Sequence, residues 1–251
     1  MDSEVILQVE GGLATLTLDA PGRRNALTVA MAEAIIAACE RVDGDPAVGA
    51  AVIFGAGGYF CAGADRALLT RAGEDPAAPD RYDQLGAVYQ AFTRIGALRV
   101  PTVAAIVGGA VGAGLNLALA TDLRVIAEDA TLRSGFLPIG LHPGGGHSLL
   151  LSRAAGREAA NALALFGAAM TGTEAAARGL AWRALPAAEV LEAATTLAAV
   201  PAADPALARA TARSMATVTG PPALPWPAAL ELERSAQMWS LRRRALRAGG
   251  S

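Results

Sequence analysis

The 251 residues carry 21 basic and 23 acidic side chains, a formal net charge of -2, and every basic residue is an arginine. With 53% hydrophobic and 18% charged residues, the composition excludes a disordered or fibrous chain. The balanced charge gives no reason to expect nucleic acid or an anionic membrane as partner. Without lysine, any mechanism that needs a lysine amine is excluded.

The cysteine count and the start of the chain favour a cytoplasmic protein. Cys39 and Cys61 are too few for a disulfide framework, and the acidic N-terminus lacks the apolar segment of a signal peptide. Residues 100–121 are uncharged, but Pro101 and four glycines divide them. We therefore predict no membrane span there, but a buried strand, turn and helix.

The first half of the chain alternates strand and helix signals. Alternating apolar residues predict an opening hairpin of residues 5–9 and 13–18, and Thr28 is expected to cap a helix. The Pro-rich and acidic residues 73–80 predict a surface loop. The remaining predictions are strands at 50–54, 102–107 and 123–127 and helices at 81–98 and 112–120.

The last third of the chain is almost entirely helical. From residue 145 the helical pattern is broken only at 180–185, and residues 230–247 form a strongly charged final helix. We predict one α/β core, residues 1–190, followed by a helical extension, residues 191–251, that packs on the core and on neighbouring subunits.

Two turns of small residues, each between a strand and a helical segment, are the candidate sites of the chemistry. The first is Phe-Cys-Ala-Gly-Ala-Asp at 60–65, and the second is Gly-Gly-Ala-Val-Gly-Ala-Gly-Leu-Asn at 108–116. Free N–H groups at a helix start favour negative charge. Two such turns at neighbouring strand ends are able to form an oxyanion hole. The same small residues also permit close packing of strand on helix, so the pattern alone leaves both readings open.

Together with Asn25-Ala26-Leu27-Thr28 and Thr121-Asp122, these turns resemble the motifs of the crotonase, or enoyl-CoA hydratase/isomerase, family over roughly residues 5 to 240. The resemblance implies an α/β fold with a ββα spiral core and a C-terminal helical trimerisation region. It also implies a homotrimer or dimer of trimers. The expected ligand is an acyl-coenzyme A thioester, with coenzyme A as part of the substrate and no separate cofactor or metal.

The resemblance also implies roles for individual residues. The thioester carbonyl would lie between the backbone N–H groups of Ala64 and Ala113. Ala113 stands where many members have glycine, but a backbone donor needs no particular side chain. Asp65 either contacts substrate or caps the following helix. The other residues expected to line the substrate site are Arg23, Arg24, Ala26, Ala62 and Phe136.

The chain departs from the family at the two glutamates with which its hydratases hold and activate water. Asn116 occupies the first position and Phe136 the second. Neither side chain accepts a proton near neutral pH. Hydration is therefore expected to be weak or absent, and isomerisation that relies on the second glutamate is in doubt as well.

Two histidines bracket the loop 143–146 and are natural substitute bases. His142 is the predicted catalytic base beside Asn116, although His142 and His147 are equally well placed to be structural caps. Three functions remain open. The first is an acyl-CoA enzyme of lyase or isomerase type in fatty acid metabolism, including a decarboxylase or thioesterase. The second is a catalytically silent acyl-CoA carrier or sensor. The third is a hydratase in which Asn116 alone positions water.

Overall fold

The computed structural model describes residues 4–219 and 225–248 and begins with the predicted hairpin. Strands β1 (Val5–Glu10) and β2 (Leu13–Leu18) pair antiparallel, with Val5 opposite Leu18. The other strands in the described ranges are β3 (Ala50–Gly55), β4 (Thr102–Ile106), β5 (Gly109–Val111), β6 (Leu123–Ala127), β7 (Thr131–Arg133), β8 (Ala169–Thr171) and β9 (Arg183–Leu185).

Six strands form the main sheet, in the order β1-β2-β3-β4-β6-β9. From β2 onward, neighbouring strands run parallel. Every residue of β4 is buried, because helices cover both faces of a parallel sheet. This explains why the sequence shows continuous apolar runs rather than alternation.

A second sheet of three short strands, β5-β7-β8, lies beside the first. Strands β5 and β7 are parallel, and β7 and β8 are antiparallel. Each has only three residues, and the sequence did not predict them. Their conformation is set by partners distant in the chain rather than by a local pattern.

The first helix, α1 (Val29–Gly44), begins where the sequence predicts. The hydroxyl of Thr28 accepts a hydrogen bond from the Met31 N–H at 3.0 Å, which confirms the cap. The following helices are α2 (Arg66–Glu74), α3 (Pro79–Gly96), α4 (Ala113–Leu119), α5 (His147–Ala164), α6 (Gly172–Ala177), α7 (Val190–Ala202), α8 (Pro205–Thr219) and α9 (Trp226–Ala248).

The connection between α2 and α3 is shorter than predicted. Helix α2 runs to Glu74 and α3 begins at Pro79, so only residues 75–78 connect them. Proline is favourable at the first position of a helix, because its missing N–H has no intrahelical partner there. The predicted loop at 73–80 is therefore wrong at both ends.

Helix α4 is buried along its whole length, which accounts for the uncharged sequence around it. In the described ranges, no helix has both the length and the apolar character needed to cross a bilayer. The α/β core followed by helices confirms the predicted fold class. Helix α7 packs on the main sheet through β3 and β4.

Helix α9 folds back onto α2 and α3 of its own chain. Arg242 donates a hydrogen bond to the Glu74 carbonyl at 2.7 Å, and the Tyr82 hydroxyl donates to Glu231 at 2.7 Å. A Cβ placed on Gly73 would lie 2.8 Å from the Leu241 carbonyl oxygen, so the two helices are in close contact. This packing places one side of α9 over the site described next.

Candidate active site

The first small-residue turn is positioned by Asn25, which is fully buried. Its Oδ1 accepts a hydrogen bond from the Ala20 N–H at 2.8 Å. Its Nδ2 donates to the carbonyls of Ala56 at 3.0 Å and Tyr59 at 2.7 Å. Asn25 has a φ of 54°, a left-handed conformation that asparagine tolerates better than most residues. One side chain thus fixes the connection between β2 and α1 against the connection that follows β3.

The backbone of the first turn leaves one donor free to face a ligand. The Leu27 N–H donates to the Gly63 carbonyl at 2.7 Å, and the Asp65 N–H donates to the Leu27 carbonyl at 2.9 Å. Ala64 lies between these two bonds, opposite Leu27 in a parallel bridge. In a parallel bridge of this kind, the N–H of Ala64 points away from Leu27. No backbone hydrogen bond within the described ranges uses it.

The second turn presents a donor at the start of α4. Gly112 precedes the helix with a φ of 52°, and its N–H donates to the Arg133 carbonyl at 3.0 Å. Ala113 is the first residue of the helix, where an N–H has no intrahelical partner. Among the described backbone hydrogen bonds, none uses the Ala113 N–H.

The two turns lie side by side. The Cys61 N–H donates to the Gly109 carbonyl at 3.2 Å, and the Val111 N–H donates to the Cys61 carbonyl at 3.1 Å. A Cβ placed on Gly63 would lie 2.8 Å from the Val111 oxygen and 3.7 Å from the Ala113 nitrogen. The N–H groups of Ala64 and Ala113 at the two turns therefore lie close together.

Cys61 is a packing residue within this contact. Its Sγ lies 3.0 Å from the Asn25 carbonyl oxygen, to which the thiol donates. Burial raises the pKa of the Cys61 thiol to about 12. A thiol with that pKa is protonated at neutral pH and is a poor nucleophile.

A cavity of about 70 Å³ opens at the meeting point of the two turns. Its wall is mainly apolar, and no Asp or Glu occurs among the described residues that line it. Four of the lining side chains carry hydrogen-bonding groups: Tyr89, Asn116, Ser134 and Gln237. The sequence-predicted residues that the fold brings to this wall are Ala62, Ala64, Ala113, Asn116 and Phe136.

A chain of buried hydrogen bonds runs along one wall of the cavity. Asn116 Nδ2 donates to the Gly144 carbonyl at 2.9 Å. Asn116 Oδ1 lies 2.7 Å from His147 Nδ1, and His147 Nε2 lies 2.9 Å from Ser134 Oγ. Because the amide nitrogen faces a carbonyl, Oδ1 is the acceptor that faces the imidazole. His147 therefore donates from Nδ1, and in the neutral ring Nε2 accepts from the Ser134 hydroxyl.

His147 is held in its neutral form. Its side chain is fully buried, and the edge of the Phe136 ring packs against it at a centroid distance of 4.9 Å. Burial lowers the pKa of His147 from its ordinary value of 6.5 to about 3. The imidazole is thus unprotonated at neutral pH, with the Nε2 lone pair directed at Ser134.

This depressed pKa predicts a pH dependence of stability. Between about pH 6.5 and pH 3, the unfolded chain binds a proton at His147 and the folded chain does not. His147 thus destabilises the fold as pH drops through that window, by up to about 1.4 kcal/mol per pH unit. Urea unfolding at about pH 6.5 and 4.5 should give a smaller loss of unfolding free energy in His147→Gln than in wild type. Equal losses in His147→Gln and wild type would contradict the assignment.

His142, the predicted catalytic base, lies outside the cavity. Its side chain is exposed, and its Nδ1 is 2.7 Å from the carbonyl of its own neighbour Pro143. The described lining of the cavity does not include it. The histidine that contacts Asn116 in the structure is His147, and a catalytic role for His142 stays a prediction.

Asp65 caps a helix, the second of its two readings. Its Oδ1 accepts hydrogen bonds from the N–H groups of Ala67 at 3.0 Å and Leu68 at 3.1 Å, at the start of α2. It does not belong to the described lining of the cavity. The structure thus shows the capping role, and contact of Asp65 with substrate stays a prediction.

A groove of about 510 Å³ adjoins the cavity and is lined by three arginines, Arg24, Arg66 and Arg133. No acidic residue occurs among its described lining residues. The Arg24 guanidinium lies 5.5 Å from the centre of the Tyr59 ring. The wall is continuous with the cavity through the residues that line both: Ala62, Val111 and Gly135.

Two other residues expected at the substrate site have local partners instead. Arg23 forms an ion pair with Glu4, and its Nε donates to the Ala26 carbonyl at 2.9 Å. Neither Arg23 nor Ala26 belongs to the described lining of the groove or the cavity. Sequence reasoning missed Arg66 and Arg133. The position of Arg66 directly after Asp65 is a signal that could have found it, whereas no sequence signal singles out Arg133.

Comparison with known proteins gives a consistent result. The sequence pattern of the enoyl-CoA hydratase/isomerase family matches residues 8–239. A probable enoyl-CoA hydratase of Mycobacterium tuberculosis is 44% identical over 201 residues, or 80% of this chain and 76% of that protein. The 1,2-epoxyphenylacetyl-CoA isomerase of Escherichia coli is 34% identical over 182 residues, or 71% of this chain and 68% of the isomerase.

Solved structures agree with the sequence relatives. An enoyl-CoA hydratase from Mycobacterium avium subsp. paratuberculosis K-10 has a TM-score of 0.84 at 29% identity, with 100% of this chain and 99% of that chain covered. The protein OdaA of Pseudomonas aeruginosa has a TM-score of 0.84 at 30% identity, with 98% and 97% covered.

Proposed function

Because the chain belongs to the enoyl-CoA hydratase/isomerase, or crotonase, family and has its fold, we propose that it binds an acyl-coenzyme A thioester between two backbone donors. The N–H groups of Ala64 and Ala113 meet at one cavity and have no described backbone acceptor. The proposal rests on this pair of N–H donors. A carbonyl oxygen that gains negative charge during reaction is stabilised by two such donors.

The arginine groove supports coenzyme A as the carrier. Arg24, Arg66 and Arg133 face a space that opens directly from the cavity. Guanidinium groups form strong, charge-assisted hydrogen bonds with phosphates, and the chain has no lysine to take that role. The acyl group would occupy the apolar cavity, and the phosphates would lie along the groove.

The composition of the cavity wall argues against ordinary hydration. Asn116 and Phe136 occupy the positions of the family's two glutamates, and the described lining contains no carboxylate. The chemistry that remains is one in which an oxyanion or enolate forms without a carboxylate base. The lack of carboxylates also supports a second candidate, a silent acyl-CoA carrier. Turnover of any acyl-CoA distinguishes the two.

Subunit association is a further part of the proposal. Phe166 is 83% exposed and Trp182 is 62% exposed in the single chain, and large exposed apolar side chains are typical of subunit contacts. We expect a homotrimer or a dimer of trimers, which sedimentation analysis would measure.

Titration calorimetry with butyryl-CoA tests the binding proposal. The wild-type protein should bind butyryl-CoA, and Arg24→Ala should weaken the affinity by about tenfold or more, because one charge-assisted phosphate contact is lost. Arg41→Ala, which removes an exposed arginine on α1, is the matched control and should leave the affinity unchanged. Absence of binding at high micromolar butyryl-CoA would refute the proposal.

A further inference from the structure

Ser134 lies at the junction of the cavity and the second turn. It follows β7 directly, lines the cavity and is only 2% exposed. A Cβ placed on Gly112 would lie 3.3 Å from the Ser134 carbonyl oxygen, and Gly112 immediately precedes the proposed donor Ala113. Ser134 therefore lies against the turn that precedes Ala113, among the residues that line the cavity.

The partners of Ser134 are those of an activated nucleophile. His147 Nε2, 2.9 Å from Ser134 Oγ, is an unprotonated acceptor, and Asn116 holds the opposite ring nitrogen at 2.7 Å. Nucleophile, base and orienting group thus stand in line, which is the geometry that defines a catalytic triad irrespective of fold or sequence order.

An amide in place of the usual carboxylate normally weakens a triad, because it can hold the imidazole in the wrong tautomer. Here the Gly144 carbonyl accepts from Asn116 Nδ2 and so fixes the amide with its oxygen toward His147. The imidazole must then carry its proton on Nδ1. The local backbone thereby selects the tautomer in which Nε2 can accept the serine proton.

We propose that Ser134 is a catalytic nucleophile that takes the acyl group from the bound thioester, with His147 as general base and Asn116 as positioning residue. The proposal rests on the acyl-CoA site described above and makes the protein an acyl-CoA hydrolase. It uses the same two N–H groups and replaces the family's carboxylates with a different set of side chains.

The reaction proceeds in two balanced halves. Ser134 Oγ attacks the carbonyl carbon while its proton passes to His147 Nε2, and the oxyanion is held by the two backbone donors. The C–S bond then breaks, the proton returns from Nε2 to the departing sulfur, and coenzyme A leaves as a thiol. Water, deprotonated by His147, attacks the serine ester, and the acid departs as the proton returns to Ser134.

The buried environment sets the expected rate. Burial keeps the pKa of His147 at about 3, which disfavours the imidazolium that must form during each half-reaction. Turnover should therefore be slower than in triads that have an aspartate. The acyl-serine intermediate should still form, because the two backbone donors stabilise the oxyanion while Nε2 accepts the serine proton.

Two readouts test the proposal on the full-length protein. The first is covalent labelling with a fluorophosphonate probe, followed by intact mass and peptide mapping. The second is release of coenzyme A thiol from acetyl-, butyryl-, hexanoyl- and octanoyl-CoA. Wild type should be labelled at Ser134 and should release thiol. Ser134→Ala should lose the label and about 10³-fold or more of thiol release, while its affinity for butyryl-CoA stays unchanged.

Matched variants separate catalysis from structure. Ser148→Ala, an exposed serine on the first turn of α5, should behave as wild type. His147→Gln should lose labelling, and Asn116→Ala should lower kcat by about tenfold or more with little change in KM. Circular dichroism should show that each variant is folded. Should His147→Gln or Asn116→Ala unfold, Ser134→Ala and the labelling of wild type decide the question.

The outcomes distinguish this proposal from the binding proposal. Butyryl-CoA binding without labelling or thiol release overturns the serine nucleophile and leaves the binding site standing. Labelling of Ser134 without binding of any acyl-CoA supports the nucleophile and refutes the coenzyme A site. Thiol release that persists in Ser134→Ala also overturns the nucleophile.

Discussion

Crotonyl-CoA should be hydrated by the wild-type protein at least about a hundredfold more slowly than by a family hydratase that has both glutamates. Each general acid–base group contributes about 10²- to 10⁴-fold to such a reaction. Here Asn116 and Phe136 stand at both positions, and the described cavity wall has no carboxylate to replace them. Formation of the 3-hydroxyacyl-CoA product, followed by chromatography, measures the rate separately from thioester hydrolysis.

The double variant Asn116→Glu/Phe136→Glu returns both carboxylates to the cavity. Its hydration rate should exceed that of wild type by about a hundredfold or more. Asn116→Gln/Phe136→Leu alters the same positions without adding carboxylates and is the matched control. It should remain as slow as wild type. Fast hydration by the wild-type protein would show that the missing glutamates do not matter.

Gly114→Ala should remove the preference for a thioester carbonyl, because it separates the two donor turns. An added Cβ would contact the Cys61 carbonyl oxygen and lie 2.8 Å from the Cys61 carbonyl carbon. The backbone must shift to relieve that overlap, at a cost of about 1–3 kcal/mol in unfolding free energy. A shift of this kind moves the N–H groups of Ala64 and Ala113 out of register with a common oxygen.

The control for this prediction is Gly44→Ala, at the end of α1. A Cβ there would have no neighbour within 4 Å, so stability and ligand binding should stay close to wild type. Urea unfolding and calorimetry measure both properties. If Gly114→Ala binds butyryl-CoA as tightly as wild type does, the two turns do not act as a pair.

The elements that the sequence predicted correctly are those with a local cause. The Thr28 cap, the buried runs of β3 and β4 and the last helix each follow from residues close together in the chain. The assignment of Asn116 and Phe136 to the family's two glutamate positions rests on their distances from the motifs and stays a prediction.

The features that the sequence did not predict depend on contacts between distant residues. Strands β5, β7 and β8 have three residues each and exist through their pairing. Spacing could not separate His142 from His147, because both flank the same glycine-rich loop. Only the folded chain brings His147 to Asn116, 31 residues away, and to Ser134, 13 residues away.

These contacts change the chemical reading of the site. From sequence alone, the loss of two glutamates indicates a pocket that binds a thioester but lacks the family's usual proton-handling groups, with His142 as the predicted substitute base. In the structure, the same wall holds a neutral histidine between an amide and a serine. The proposed donors Ala64 and Ala113 line one cavity together with Asn116 and Ser134, so binding and acyl transfer can be tested at a single site.

The most direct test of the central claim compares two ligands that differ only at the carbonyl group. Butyryl-CoA carries the thioester oxygen, and S-butyl-CoA replaces the carbonyl with a methylene. Calorimetry with Ser134→Ala, which prevents turnover, should show butyryl-CoA binding about tenfold or more tightly, because two hydrogen bonds to the N–H groups of Ala64 and Ala113 are lost with the thioether. Equal affinities for the two ligands would contradict a carbonyl held between these donors.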